Sequence, residues 1–116
     1  MWFFKKKEKE VDPVIVKTSR ELNKLLNQRM TSDSIVNLNN ILRTFLKEKY
    51  KINRGQTIEE IIKIIKKKHM NKIIKENLLS VILLIYKAEY DSKEPITKKQ
   101  LKEYIKQTKE VIISTK

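Results

Sequence analysis

The sequence predicts an all-α fold, a single compact domain of about five short antiparallel helices. Apolar residues recur at spacings of three and four along most of the chain, which is the spacing of one helix face. Threonines followed three residues later by glutamate or glutamine mark three helix starts, as capping boxes do. The pairs are Thr18 with Glu21, Thr57 with Glu60 and Thr97 with Gln100. Apart from the short stretch 14–16, no segment alternates apolar and polar residues as a strand would. The length of 116 residues suits one domain with a modest core.

Residues 1–17 are predicted to be a flexible basic and aromatic arm, and residues 18–116 to be the helical domain. The arm contains the charged segment "KKKEKE", and Pro13 argues against a helix that runs through it. The first helix should begin near Ser19, with Thr18 as its cap. The chain therefore divides into one arm and one domain.

The five helices are placed by their caps and their apolar stripes. They are expected at about 19–30, 35–50, 58–68, 71–90 and from 98 onward. The helix at 71–90 is apolar almost all round between Leu78 and Tyr86, so it should lie at the centre of the domain. Ser80 lies within it and is expected where two helices approach closely.

The only glycine of the chain, Gly55, follows the second helix. It is expected to supply the left-handed residue that closes the last turn of that helix. Thr57 and Glu60 should then form the capping box of the third helix. The alternative is an anion-binding loop at this helix start, but Glu59 and Glu60 would repel a phosphate there.

The formal net charge of +13 predicts attraction to polyanions, either nucleic acid or an anionic membrane face. A compositional bias toward lysine would give the same charge without any ligand. No apolar run approaches the roughly 20 residues that cross a bilayer, and no signal peptide is recognisable. We therefore expect a cytoplasmic location, with the periphery of a membrane as an alternative.

No catalytic motif is visible, so we expect a non-enzyme without cofactor or metal. The single histidine, His69, follows three lysines and should be solvated. The chain has no cysteine, and no histidine–carboxylate set has the helical spacing of a metal site. A glycine-rich phosphate loop and a nucleophile elbow are both absent from the sequence.

Six lysines and no acid occur between Ile61 and Lys75. These candidate polyanion-binding residues are Lys63, Lys66, Lys67, Lys68, Lys72 and Lys75. One interpretation is a solvated face opposite the isoleucines of the third helix. The other is phosphate contact, which would give a steep salt dependence. Base readout is not expected, because the patch lacks arginine.

The N-terminal arm is a second candidate contact, either for a membrane or for a protein partner. Its residues are Trp2, Phe3, Phe4, Lys5, Lys6 and Lys7. Aromatic residues beside lysines are typical of the headgroup level of a membrane. Alternatively, the aromatic side chains pack into a groove of the domain or on a second copy. A homodimer is also open if the last helix leaves Tyr104 and Val111 exposed.

Two stretches, "TFLKEKYKINRGQTIEEIIKII" and "LLIYKAEYDSKEPITKKQLKEYIKQTKEVI", carry a pattern of caps, turns and aromatic residues. The residues of this pattern are Gly55, Thr57, Glu60, Tyr86, Ala88, Tyr90, Pro95 and Thr97. Over about residues 35–113 the chain resembles the helical C-terminal domain of unknown function of transglutaminase-like, membrane-associated proteins. The resemblance implies a non-catalytic, soluble helical module that works near a membrane through protein contacts.

We therefore expect a non-catalytic helical protein-interaction module, accessory at the cytosolic face of a membrane or in a larger assembly. Its partner would be an unidentified protein, with an anionic membrane surface or a second copy as further candidates. The alternative is a sequence-tolerant nucleic-acid-binding protein that uses the patch Lys63–Lys75. An exposed apolar groove would favour the first function, and a continuous positive face would favour the second.

Overall fold

The computed structural model describes residues 12–90 and 96–115, which form five α-helices and no strand. The helices are α1 (Pro13–Asn27), α2 (Ser34–Tyr50), α3 (Ile58–Lys67), α4 (Lys72–Tyr90) and α5 (Lys98–Ser114). The prediction of an all-α single domain is confirmed for this part of the chain.

Four of the helices form a closed ring in the order α1, α2, α4, α5, and α2 also contacts α5 across the core. Among the five described helices, α3 packs only against α4. The helices α2 and α4 run antiparallel, because Asn39 near the start of α2 donates to Glu89 near the end of α4, at 2.7 Å. The core contains side chains that are no more than 1 % exposed, among them Leu22, Leu38, Phe45, Ile65, Leu78, Ile85, Ile105 and Ile112.

The first helix begins at Pro13, earlier than the predicted start at Ser19. Asp12 is its cap, because its Oδ1 accepts a hydrogen bond from the Val14 N–H at 2.9 Å. Proline suits the first helical position, where its missing N–H would have no partner within the helix. The predicted cap, Thr18, is buried inside the helix, and its hydroxyl donates to the Val14 carbonyl at 2.7 Å.

This earlier start changes the predicted division between arm and domain. Residues 13–17 belong to α1 and therefore to the helical domain. Asp12 caps that helix, and the rest of the predicted arm, residues 1–11, lies outside the described residues, as do 91–95 and 116.

The capping boxes predicted for the third and fifth helices are confirmed. At α3, the Thr57 N–H donates to Glu60 Oε1 at 2.8 Å, and the Glu60 N–H donates to Thr57 Oγ1 at 3.2 Å. At α5, Thr97 and Gln100 make the same two bonds at 3.0 and 3.1 Å. These reciprocal bonds satisfy backbone donors that a helix start leaves free.

The left-handed residue that closes α2 is Lys51, with φ 62°, and the prediction that Gly55 has this role is wrong. The turn at Lys51 allows the next side chain, Ile52, to be buried at 2 % exposure. Gly55 has no positive φ, and its N–H donates to Asn53 Oδ1 at 2.9 Å. The guanidinium of Arg43 holds this segment against α2 through the carbonyls of the residues at 54 and 56.

Replacing Lys51 with glycine is expected to stabilise the protein by about 0.5–1 kcal/mol. A non-glycine residue in the left-handed region costs roughly 1–2 kcal/mol, and glycine removes this cost. Part of the gain is lost, because glycine loses more conformational entropy on folding than lysine does. Gly55→Ala is the matched control. A Cβ there would meet only Asn53 Oδ1, at an ordinary 3.5 Å, so its effect should stay within about 0.5 kcal/mol. Urea unfolding measures both, and a larger loss from Gly55→Ala would contradict this assignment.

The fourth helix contacts α2, α3 and α5, as its apolar sequence predicts, but one of its faces is open to solvent. Ser80, expected at a close approach between helices, is exposed on that face. Leu83 is also exposed, at 38 %. The sequence shows that α4 is apolar almost all round between Leu78 and Tyr86, and within the described residues the other helices cover only part of that surface.

Candidate functional site

The exposed side of α3 and the start of α4 carry four lysines, which we call the lysine surface: Lys63, Lys66, Lys67 and Lys72. All four are exposed. Ile61 and Ile65 anchor the opposite side of α3 in the core, at 1 % and 0 % exposure. Because residues at i, i+3 and i+4 are neighbours on a helix, the three lysines of α3 share one face. The isoleucine stripe thus fixes the direction in which these lysines point.

The other two lysines of the predicted patch have structural partners. Lys75 Nζ donates to the Lys66 carbonyl at 3.0 Å, so it satisfies an acceptor that the end of α3 leaves free. Lys68 is half-buried, and its Nζ lies 5.7 Å from the centre of the Tyr50 ring, within the range of a cation–π contact. The six-lysine patch therefore divides into four exposed lysines and two that stabilise the fold.

Ion pairs do not neutralise the lysine surface within the described residues. The pairs found there join Lys17 to Glu48 at 3.1 Å and Lys49 to Asp12 at 2.6 Å. The hydrogen bond from Lys49 holds the pKa of the Asp12 carboxyl below its usual value. The carboxylate of Glu60, at the start of α3, is engaged with the N–H of its own helix cap.

A groove of about 480 Å³ lies beside the lysine surface. Its lining residues are Lys49, Tyr50, Lys68, His69, Met70, Asn71, Ile74 and Thr115. Burial raises the pKa of the Tyr50 hydroxyl above its usual value. The Tyr50 ring packs edge-on against Phe45 at 6.0 Å and lies near two ammonium groups, and it is not an open platform for stacking.

Sequence reasoning did not place Tyr50 in this region. The ring meets Lys68, the residue that directly follows α3, and no local spacing connects residues 50 and 68. The one local signal is that Tyr50 ends the amphipathic helix α2. His69, expected to be solvated, is exposed at the edge of the groove.

Large apolar side chains are exposed at both ends of α4: Ile73 at 68 % and Tyr90 at 62 %. The condition set for a dimer through the last helix is not met, because Tyr104 and Val111 are half-buried and packed against the core. The candidate contact residues of the arm, Trp2 to Lys7, lie outside the described residues.

Among residues 12–90 and 96–115, no three histidine or carboxylate side chains come together as metal ligands would. None of the helices in these ranges has both the length and the apolar character that a membrane crossing requires. The chain matches no protein-family model, no curated protein and no solved structure.

Proposed function

We propose that the protein is a non-catalytic interaction module, accessory at the cytosolic face of a membrane, and that the lysine surface contacts anionic headgroups there. The observation that supports this proposal is the set of four exposed lysines, none of which has a carboxylate partner within 4.0 Å in the described part of the chain. Such a surface keeps its full charge available for an anionic partner.

A positive face of this kind is also what a nucleic-acid-binding protein would present, but the composition of this one favours headgroups over bases. The surface has no arginine, and the nearby Arg43 and Arg54 hold the α2–α3 turn through hydrogen bonds. Tyr50 is shielded and offers no base a stacking face. A lysine close to an anionic membrane contributes about 1 kcal/mol, so four give weak, reversible attachment.

The second candidate is a sequence-tolerant nucleic-acid-binding protein. It is favoured by the three lysines that stand side by side on α3, because adjacent ammonium groups can contact successive phosphates. Four phosphate contacts would give a slope of log K against log salt of about −3.6 on a duplex.

The test compares binding to phosphatidylcholine vesicles, with and without phosphatidylserine, and to duplex and single-stranded DNA. The variant K63Q/K66Q/K67Q/K72Q removes the lysine surface and keeps helix-compatible side chains. The matched control, K98Q/K99Q/K102Q/K106Q, removes four exposed lysines of α5, a helix that does not pack against α3.

We expect binding that requires phosphatidylserine and that falls at least roughly 100-fold in the first variant, with a much smaller loss in the control. Equal losses in the two variants would show that only the net charge matters, which would overturn the proposal. Stronger binding to DNA than to vesicles, lost in the first variant alone, would establish the second candidate instead.

A further inference from the structure

The solvent-facing side of α4 carries a seam of six exposed residues. They are Ile73, Glu76, Ser80, Leu83, Lys87 and Tyr90. Their spacings are three, four, three, four and three, which is the pattern that keeps side chains on one side of a helix packed against another helix. Within the described residues, the domain leaves this seam uncovered, although it includes the two most exposed large apolar side chains, at 68 % and 62 %.

The seam is complementary to itself when its direction is reversed. Along the chain, its first half has an apolar, an acidic and a small residue, and its second half has a large apolar, a basic and an aromatic residue. In an antiparallel pair of α4 helices centred between residues 81 and 82, Ile73 would meet the partner's Tyr90. Glu76 would meet the partner's Lys87, and Ser80 would receive the partner's Leu83. We propose that the chain forms a two-fold symmetric homodimer through this seam.

Each pairing has a physical reason. Serine is small enough to admit a leucine from the facing helix, as a hole admits a knob. The Glu76–Lys87 pairs occur twice, once on each side of the two-fold axis, because an isologous interface repeats every contact. Tyr90 is positioned by packing against Tyr86, with ring centres 5.1 Å apart. A parallel pair would instead bring Glu76 against its own copy and Lys87 against its own copy, which is unfavourable.

The net charge sets the strength of the dimer. Two chains of +13 repel each other, but the repulsion between exposed charges is screened beyond about 8 Å at physiological salt. A seam of one helix, about 26 Å long, gives an interface at the small end of specific contacts. A micromolar, reversible dimer is therefore expected, which weakens at low salt. A foreign acidic helix would not explain why an acid and a lysine occupy symmetric positions in the seam.

Sedimentation velocity over a concentration series tests the proposal with a charge swap. Glu76→Lys and Lys87→Glu each place like charges opposite one another, so each should weaken dimerisation at least roughly tenfold. The double variant E76K/K87E restores opposite charges and should return the dissociation constant to within about threefold of the wild-type value. The variants should fold normally, because both side chains are exposed, and circular dichroism checks this. A wild-type protein that stays monomeric, or a double variant no better than the single variants, would overturn the proposal.

The orientation can be tested separately, because the chain has no cysteine. In a mixture of the I73C and Y90C variants, oxidation should cross-link the two different chains. Neither variant should cross-link efficiently to itself. Preferential I73C self-linking would indicate a parallel pair and would exclude the proposed geometry.

Discussion

Phe45→Ala is expected to lower the free energy of unfolding by about 3–5 kcal/mol. The ring is fully buried at 0 % exposure on α2, a helix that contacts α1, α4 and α5. Removing it leaves a cavity that three surrounding helices cannot close without moving. It also removes the edge-on support of Tyr50. Urea unfolding followed by circular dichroism measures the loss.

Val36→Ala is the control for this prediction, because Val36 lies on the same helix and is 39 % exposed. Its loss should not exceed about 1 kcal/mol, since the methyl groups are already partly in water. Similar losses for the two variants would mean that Phe45 contributes no more to the core than an exposed side chain, contrary to the described fold.

Ile65→Ala is expected to detach α3, at a cost of about 2–4 kcal/mol to the stability of that helix. Ile65 is 0 % exposed, and α3 has ten residues and packs, among the helices, only against α4. A helix this short is not stable alone in water, so its structure depends on this contact. Amide hydrogen exchange should therefore speed up by at least roughly 30-fold in α3 while the amides of α2 remain protected.

The exposed Lys63→Ala on the same helix is the matched control, with an expected change within about 0.5 kcal/mol. Because Ile65 fixes the orientation of α3, Ile65→Ala should also weaken any binding through the lysine surface without changing its charge. Uniform acceleration of exchange in all helices would show instead that α3 unfolds only together with the rest of the domain.

The helices and two of their caps were predictable from the sequence because those signals are local. Thr57 with Glu60, and Thr97 with Gln100, satisfy donors within one turn, and no distant residue competes for them. The start of α1 was misplaced because a plausible threonine–glutamate pair lies inside that helix. The true signal, Asp12 directly before a proline, is equally local, but a proline can also indicate the interruption of a helix.

Features that depend on packing were not predictable in the same way. Lys51 adopts a left-handed conformation because Ile52 must reach the core, and propensity alone assigns that conformation to glycine. The exposure of the α3 lysines was predictable, because the spacing of the isoleucines shows which side of that helix is buried. The partners of Lys68 and Lys75 lie on other segments, so no spacing indicates them. Between Leu78 and Tyr86, α4 is apolar on nearly every side, so its sequence does not indicate which of its faces the domain covers.

The packing of α1 against α5 has a consequence for the order of events during protein synthesis. α1 is made first, but a principal neighbour, α5, begins only at residue 98, 71 positions after α1 ends at 27 (98 − 27). At roughly 5–20 residues per second, the ribosome needs several seconds to add that length. During this interval, of the described helices that contact α1, only α2 is present to cover its apolar side, which includes Leu22 and Leu25. A nascent chain of this protein is therefore a better client for chaperones than the finished domain.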